Sequence, residues 1–137
     1  MEVKEEKTVL KGRKISKGLG EGEVVKVETP ISFLGGIDAK NGKILDPDTG
    51  KVGTSIAGKV FVFTHGKGST VGSYVIYQLK KNKVAPLAII NENAEIIVAV
   101  GAIISDIPMV DKIDISKISD GDKVRVYADE GIVEILR

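Results

Sequence analysis

The sequence has no cysteine, no tryptophan and a single histidine, His65, among its 137 residues. Without thiols the chain has no disulfide, no thiolate nucleophile and no cysteine-ligated cluster of its own. One histidine gives no basis for a histidine-rich centre, so no metal ligand is assigned. Three tyrosines and three phenylalanines make up the whole aromatic complement, and the formal net charge is +1. That leaves neither stacking platforms nor a basic stripe, so nucleic acid is not expected as a partner. The longest apolar stretch, residues 96–104, is too short to cross a bilayer. The first seven residues are charged and lack the apolar run of a signal peptide. A cytoplasmic location away from membranes is the expectation.

What is present is a globular balance, 42% apolar and 28% charged, with acidic and basic residues interspersed. A chain of this size supports one sizeable core. We expect a single domain over residues 1–137, with residues 1–7 frayed, and we find no internal repeat or linker. Residues 9–15 and 23–28 carry alternating or β-branched side chains and read as strands, with a glycine turn over residues 18–22 between them. Residues 31–53 have no helical period. Gly35, Gly36, Asn41, Gly42 and Pro47 punctuate them as a long loop, expected to be mobile until a partner or substrate arrives.

Residues 57–64 form the clearest strand. A glycine-rich turn follows, then a helix whose apolar stripe is Val71, Tyr74, Val75, Gln78 and Leu79. Residues 86–91 read as a buried strand, residues 95–104 as a short buried helix and residues 108–111 as a short strand. Residues 123–127 and 132–136 form a closing hairpin. Strands at both ends around a strand–helix–strand unit predict a mixed α/β domain with a right-handed crossover.

Three motif-like strings fail on inspection. Residues 53–59 imitate a P-loop, but Val60 stands where Ser or Thr is required and the string runs into a strand. Residues 18–22 lack the spacing of a dinucleotide fingerprint. Residues 46–50 begin like a calcium loop, yet Pro47 and the missing closing glutamate make a plain turn the better reading.

The segment with chemistry in it is Gly66, Lys67, Gly68, Ser69 and Thr70, between the best strand and the best helix. Glycines allow backbone amides to approach a ligand, and a helix start offers unpaired N–H groups to an anion. The plain alternative is that Ser69 or Thr70 is only an N-cap, contributing about 1 kcal/mol. Two adjacent hydroxyls allow both roles.

Taken in order, Ile31-Ser-Phe-Leu-Gly-Gly-Ile-Asp38, Ile56-Ala-Gly-Lys-Val60, Gly66-Lys-Gly-Ser-Thr-Val-Gly-Ser73, Ala85-Pro86 and Val100-Gly-Ala-Ile-Ile104 resemble the swivel domain of the aconitase X family. The resemblance runs from about Gly12 to the C-terminus. It implies a swivelling β/β/α fold of the α/β class, with mixed sheets and flanking helices. A free-standing chain of this size implies a small subunit in a heterodimer. The large catalytic subunit would hold an iron–sulfur cluster of the 4Fe–4S type, with no cofactor in this chain. The family's proton acceptor is the serine of its Gly-x-Gly-Ser-(Ser/Thr) string, which falls on Ser69. Gly68, Thr70, Ser32, Gly35 and Gly36 are assigned to the substrate cleft.

The implied reaction is dehydration of a phosphorylated hydroxy acid, 5-phosphomevalonate, to trans-anhydromevalonate 5-phosphate. A neutral serine is too weak a base, so Ser69 would react as an alkoxide stabilised by helix-end N–H groups and nearby cations. Lys67 is the nearest cation in sequence. Within the superfamily a hydroxyproline is the rival substrate. A non-catalytic swivel module or a stand-alone small-molecule binder is the rival from another class. The first expectation is that the isolated chain folds, is inactive and binds no iron. Stoichiometric iron–sulfur absorbance in the purified chain alone would contradict it.

Overall fold

The computed structural model describes residues 7–136, so the expected frayed end lies, apart from Lys7, outside the described residues. Eight strands are described: β1 (Lys7–Lys11), β2 (Arg13–Ser16), β3 (Leu19–Lys26), β4 (Val60–Phe63), β5 (Ala88–Asn91), β6 (Met109–Asp111), β7 (Lys123–Tyr127) and β8 (Ile132–Leu136). Two helices cross between parallel strands, α2 (Gly72–Lys81) and α3 (Ile96–Ile104). A single short turn, α1 (Phe33–Gly36), precedes them. The strand order is β1-β8-β7-β3-β4-β5-β6-β2.

Strict alternation in the central strands generates three layers. Val60, Val62, Ala88, Ile90 and Val110 point into one core, facing Val124, Val126, Val133 and Ile135 of the closing hairpin. Phe61, Phe63, Ile89 and Met109 point the other way, onto Val75, Ile76, Leu79, Val98 and Ala102 of the two helices. An antiparallel sheet, a mixed sheet and a helical layer therefore stack as β/β/α, the architecture the resemblance implied.

One strand serves both sheets. The first half of β3 pairs antiparallel with β7, and Val24, Val25 and Lys26 pair parallel with β4. This corrects the turn expected over residues 18–22, which is instead the opening of β3. Its glycines are there because the sheets cross closely. A Cβ on Gly20 would lie 2.5 Å from the Leu87 carbonyl oxygen, a contact only glycine avoids.

The single strand expected over residues 9–15 is likewise two strands. They divide at Gly12, where a Cβ would collide with the Asp111 carbonyl oxygen. β1 goes to β8 and β2 goes to β6, at opposite ends of the strand order. In α2 the buried face is Gly72, Val75, Ile76 and Leu79. That is one position round from the expected stripe, because Gly72 packs against Ile97, and Val71 and Tyr74 face outward. α3 is a helix as expected but is buried on one side only, at Val98, Gly101 and Ala102.

Residues 31–53 hold no regular strand, and backbone hydrogen bonds link them to one another and to the residues that follow. Leu45 N–H donates to Gly36 O, Ile44 N–H to Thr54 O and Ile56 N–H to Gly42 O, at 2.8–2.9 Å. Ile31, Phe33, Ile37 and Ile44 are buried. The turn at Pro47–Thr49 is plain: the Asp46 carboxylate accepts the Asp48 N–H at 2.9 Å.

The far edge is tied by Asp111, whose side chain is fully buried. It accepts Arg13 Nε at 3.0 Å, Arg13 Nη2 at 2.8 Å and the Ala94 N–H at 2.9 Å. Burial works against its charge, but the Arg13 and Ala94 hydrogen bonds outweigh it and hold the carboxyl below its ordinary range. A depressed folded pKa adds stability above the unfolded value, about 3.9, that is lost as pH falls through the folded one. Arg13→Ala should therefore melt several degrees lower than wild type at neutral pH, with the gap closing in acid once Asp111 is protonated in both. A gap that persisted undiminished in acid would assign the loss to packing instead.

Candidate functional site

Open α/β sheets receive ligands outside the carboxyl ends of their parallel strands, where successive loops converge. β3 and β4 are parallel neighbours, and the loops leaving both meet here. Ile31 N–H donates to His65 O at 3.0 Å, and Lys67 N–H donates to Ile31 O at 3.0 Å. These bonds make a parallel bridge between Ile31 and Gly66, which sets Ser32 against the following turn. The approach is so close that a Cβ on Gly68 would collide with Ser32 Oγ. Gly68 also has φ +92°, a conformation that disfavours any side chain.

Ser69 is exposed at the head of this turn. Its Oγ accepts the Val71 N–H at 3.1 Å and its carbonyl accepts the Gly72 N–H at 2.9 Å. The hydroxyl closes a local turn and is not the cap of α2, since the N-cap is Val71 with no side-chain cap hydrogen bond; the hydroxyl proton has no acceptor among the described residues. The N–H groups of Gly68, Ser69 and Thr70 likewise donate to no protein acceptor among the described residues. They belong to the turn that leads into α2, whose N-terminal end favours an anion or a developing oxyanion. Thr70 is exposed beside Ser69.

Ser32 is half-buried and donates from Oγ to Leu34 O at 2.9 Å. Ser32, Gly68, Ser69 and Thr70 therefore form one cluster. Gly35 and Gly36 lie further along the same loop and make no hydrogen bond to the Ser69 turn among the described residues. Gly35, at φ +84°, shapes the turn that seats Phe33 on Phe61 and Phe63, with ring centroids 6.2 and 6.0 Å away. Lys67 is exposed, and so is His65.

One residue that shapes the site was not singled out from the sequence. Glu95 caps α3, its carboxylate accepting the Ile97 N–H at 2.8 Å and the Val98 N–H at 3.2 Å. The same carboxylate presses on the turn: a Cβ on Gly66 would lie 2.7 Å from Glu95 Oε2 and 2.5 Å from Val98 Cγ2. Gly66 is thereby clamped between the α3 cap and the Ile31 bridge. The signal was available, since a lone carboxylate ahead of an unbroken apolar run marks a helix start. Thr64 Oγ1 and Asn91 Oδ1, at the carboxyl ends of β4 and β5, are buried without a partner.

Among the described residues no three His, Asp or Glu side chains gather to hold a metal ion. With no cysteine in the chain, this donor set does not fit an iron–sulfur cluster. No described helix is long and apolar enough to cross a membrane.

Residues 9–135 match the aconitase X swivel domain family. The chain is 63% identical over 127 residues to a phosphomevalonate dehydratase small subunit of Thermococcus kodakarensis, covering 93% of this chain and 96% of that one. It is 56% identical over 131 residues to the protein of the same name in Methanosarcina acetivorans, covering 93% and 91%. The crystal structure of Thermococcus kodakaraensis aconitase X in its holo-form superposes with a TM-score of 0.93 at 62% identity, covering 95% of this chain and 99% of that chain. The match over residues 9–135 and the layered fold agree: the chain belongs to the aconitase X swivel domain family.

Proposed function

We propose that this chain is the small subunit of a two-subunit cytoplasmic hydro-lyase. The enzyme dehydrates (R)-5-phosphomevalonate to trans-anhydromevalonate 5-phosphate, and Ser69 is its proton acceptor. The large subunit carries the iron–sulfur cluster. The substrate assignment is supported by the names of relatives that match over nearly the full length of both chains. The observation that carries the serine assignment is its setting: an exposed hydroxyl on a turn held rigid from both sides, at the start of α2.

The reaction is a β-elimination. A proton leaves the carbon beside the carboxylate, its electron pair becomes the new C=C bond, and the tertiary hydroxyl departs from the neighbouring carbon. This chain contributes the first part. Ser69 Oγ takes the proton, for which it must be an alkoxide. The Val71 N–H points at that oxygen, and a donor to the charged form favours it. The helix start adds a positive field, and the free N–H groups of Gly68, Ser69 and Thr70 are placed to hold an anionic group. Ser32, Thr70, Gly68, Gly35 and Gly36 line the cleft in this reading.

Two variants test the site. Ser69→Ala should leave folding and subunit pairing intact while lowering turnover by at least about 10²–10⁴-fold, the range of general-base contributions. Thr70→Ala should fall much less. Mild effects from both would sink the serine mechanism, and the reverse order would move the base by one residue. Gly68→Ala probes the geometry, because it forces a strained backbone and separates Ser32 from the turn. A stability loss of about 1–3 kcal/mol, together with a drop in turnover, is expected. Ser32→Gly in that background should recover only the part due to the collision, as a double-mutant cycle would read.

A further inference from the structure

α2 and α3 lie side by side on the mixed sheet, packed closely at Gly101. A Cβ on Gly101 would lie 2.7 Å from Ile76 Cδ1, and Ser73 Oγ donates to Ile97 O at 2.6 Å. Such close packing makes the outward sides of both helices one continuous surface. Its composition is unlike the rest of the chain. Tyr74, Tyr77, Ile96, Val100, Ile103 and Ile104 are 40–73% exposed, at the i, i+3 and i+4 spacings that share a helix face. No charged residue occurs between Lys67 and Lys80 or between Glu95 and Asp106, in a chain that is 28% charged. A helix with one face in water ordinarily carries its charges there.

We propose that this outward face of α2 and α3 is the surface on which the large subunit docks, with the Ser69 turn at its rim. The inference rests on the preceding reading, in which Ser69 faces that subunit. Size is the first argument. With Val71 included, the exposed apolar side chains present roughly 700 Å², near the ~800 Å² per partner of a standard interface and above the ~300–600 Å² patch of a typical monomer.

Continuity is the second. Val71, 46% exposed, follows Ser69 by two positions, and Ile96 follows Glu95, whose carboxylate packs on Gly66 of the same turn. A partner that covers Ser69 runs onto the apolar face without a gap. A second copy of this chain fits less well. A symmetric pair through this face would bring the Ser69 turns to its own rim, where the subunit that completes the site has to enter.

The test uses the full chain with the large subunit from the same organism, prepared anaerobically. Affinity is measured by calorimetry for wild type, Ile103→Glu, Ile104→Glu and Tyr74→Glu. Val9→Glu, at an exposed position on β1, is the control. The two isoleucine variants should fold as wild type by circular dichroism and bind at least tenfold more weakly. The control and Ser69→Ala should bind normally. Wild-type affinity in well-folded isoleucine and tyrosine variants overturns the docking surface, and if Ser69→Ala has still lost turnover the functional reading stands. An isolated chain that is dimeric by light scattering, and made monomeric by these same substitutions, also overturns it in favour of a second copy. Failure of the wild-type chain to bind the large subunit overturns both readings.

Discussion

The rest of the structure depends on the burial of β4, β5 and β6 on both faces. None of the residues in these strands is exposed, and successive side chains enter different cores. Strands of this kind cannot lie against water on either side. Two covers are needed, made differently: helices crossing between parallel strands on one face, and a sheet of antiparallel strands on the other. The glycine-rich half of β3 follows from this, because one strand has to turn from the inner sheet into the outer one.

The same layering decides where chemistry is possible. Loops that leave β3 and β4 at their carboxyl ends must come together, and backbone hydrogen bonds settle how. Ile31 bridges to Gly66, and the Glu95 carboxylate closes the other side. Ser69 is thus positioned by main chain and glycine rather than by a network of polar side chains. It is also open to solvent, where charge stabilisation by dipoles is weakened by water. A reactive oxygen in that position gains its low-dielectric surroundings only when another surface covers it.

Much of this was legible in the sequence. Apolar runs identified the central strands, and the glycines around Ser69 marked the turn before α2. What was hidden depended on contacts between distant residues. Gly20 and Gly22 look like turn residues until Leu87 is seen beside them. Gly12 divides an evenly patterned strand because Asp111 lies against it. The stripe on α2 was read one position off because the local pattern weighs Val71 and Tyr74 as core, whereas close packing on Ile97 calls for Gly72. At the candidate site, the motif was legible as a glycine-rich turn that carries Ser69 ahead of α2. The cap that Glu95 makes on α3 had a local signal, but its contact with Gly66 appears only when the start of α3 is placed against that turn. The uncharged flanks of both helices were visible as composition, but which residues face outward required the structure.

The placement of β1 and β2 has a consequence for biosynthesis. Lys7 pairs with Leu136, and Arg13 with Asp111, so β1 and β2 have their partners far later in the sequence, in β8 and β6. β3 similarly takes both β4 and the late strand β7. During synthesis the edges of β1 and β2 therefore stay unclaimed until β8 and β6 have emerged, and the outer sheet cannot close before β7 and β8 are made. Non-local pairing of this kind slows folding through the entropy of closing large loops. The parallel unit of β4, α2, β5, α3 and β6 is local by comparison and has the means to collapse first, leaving the ends of the chain to wrap it afterwards.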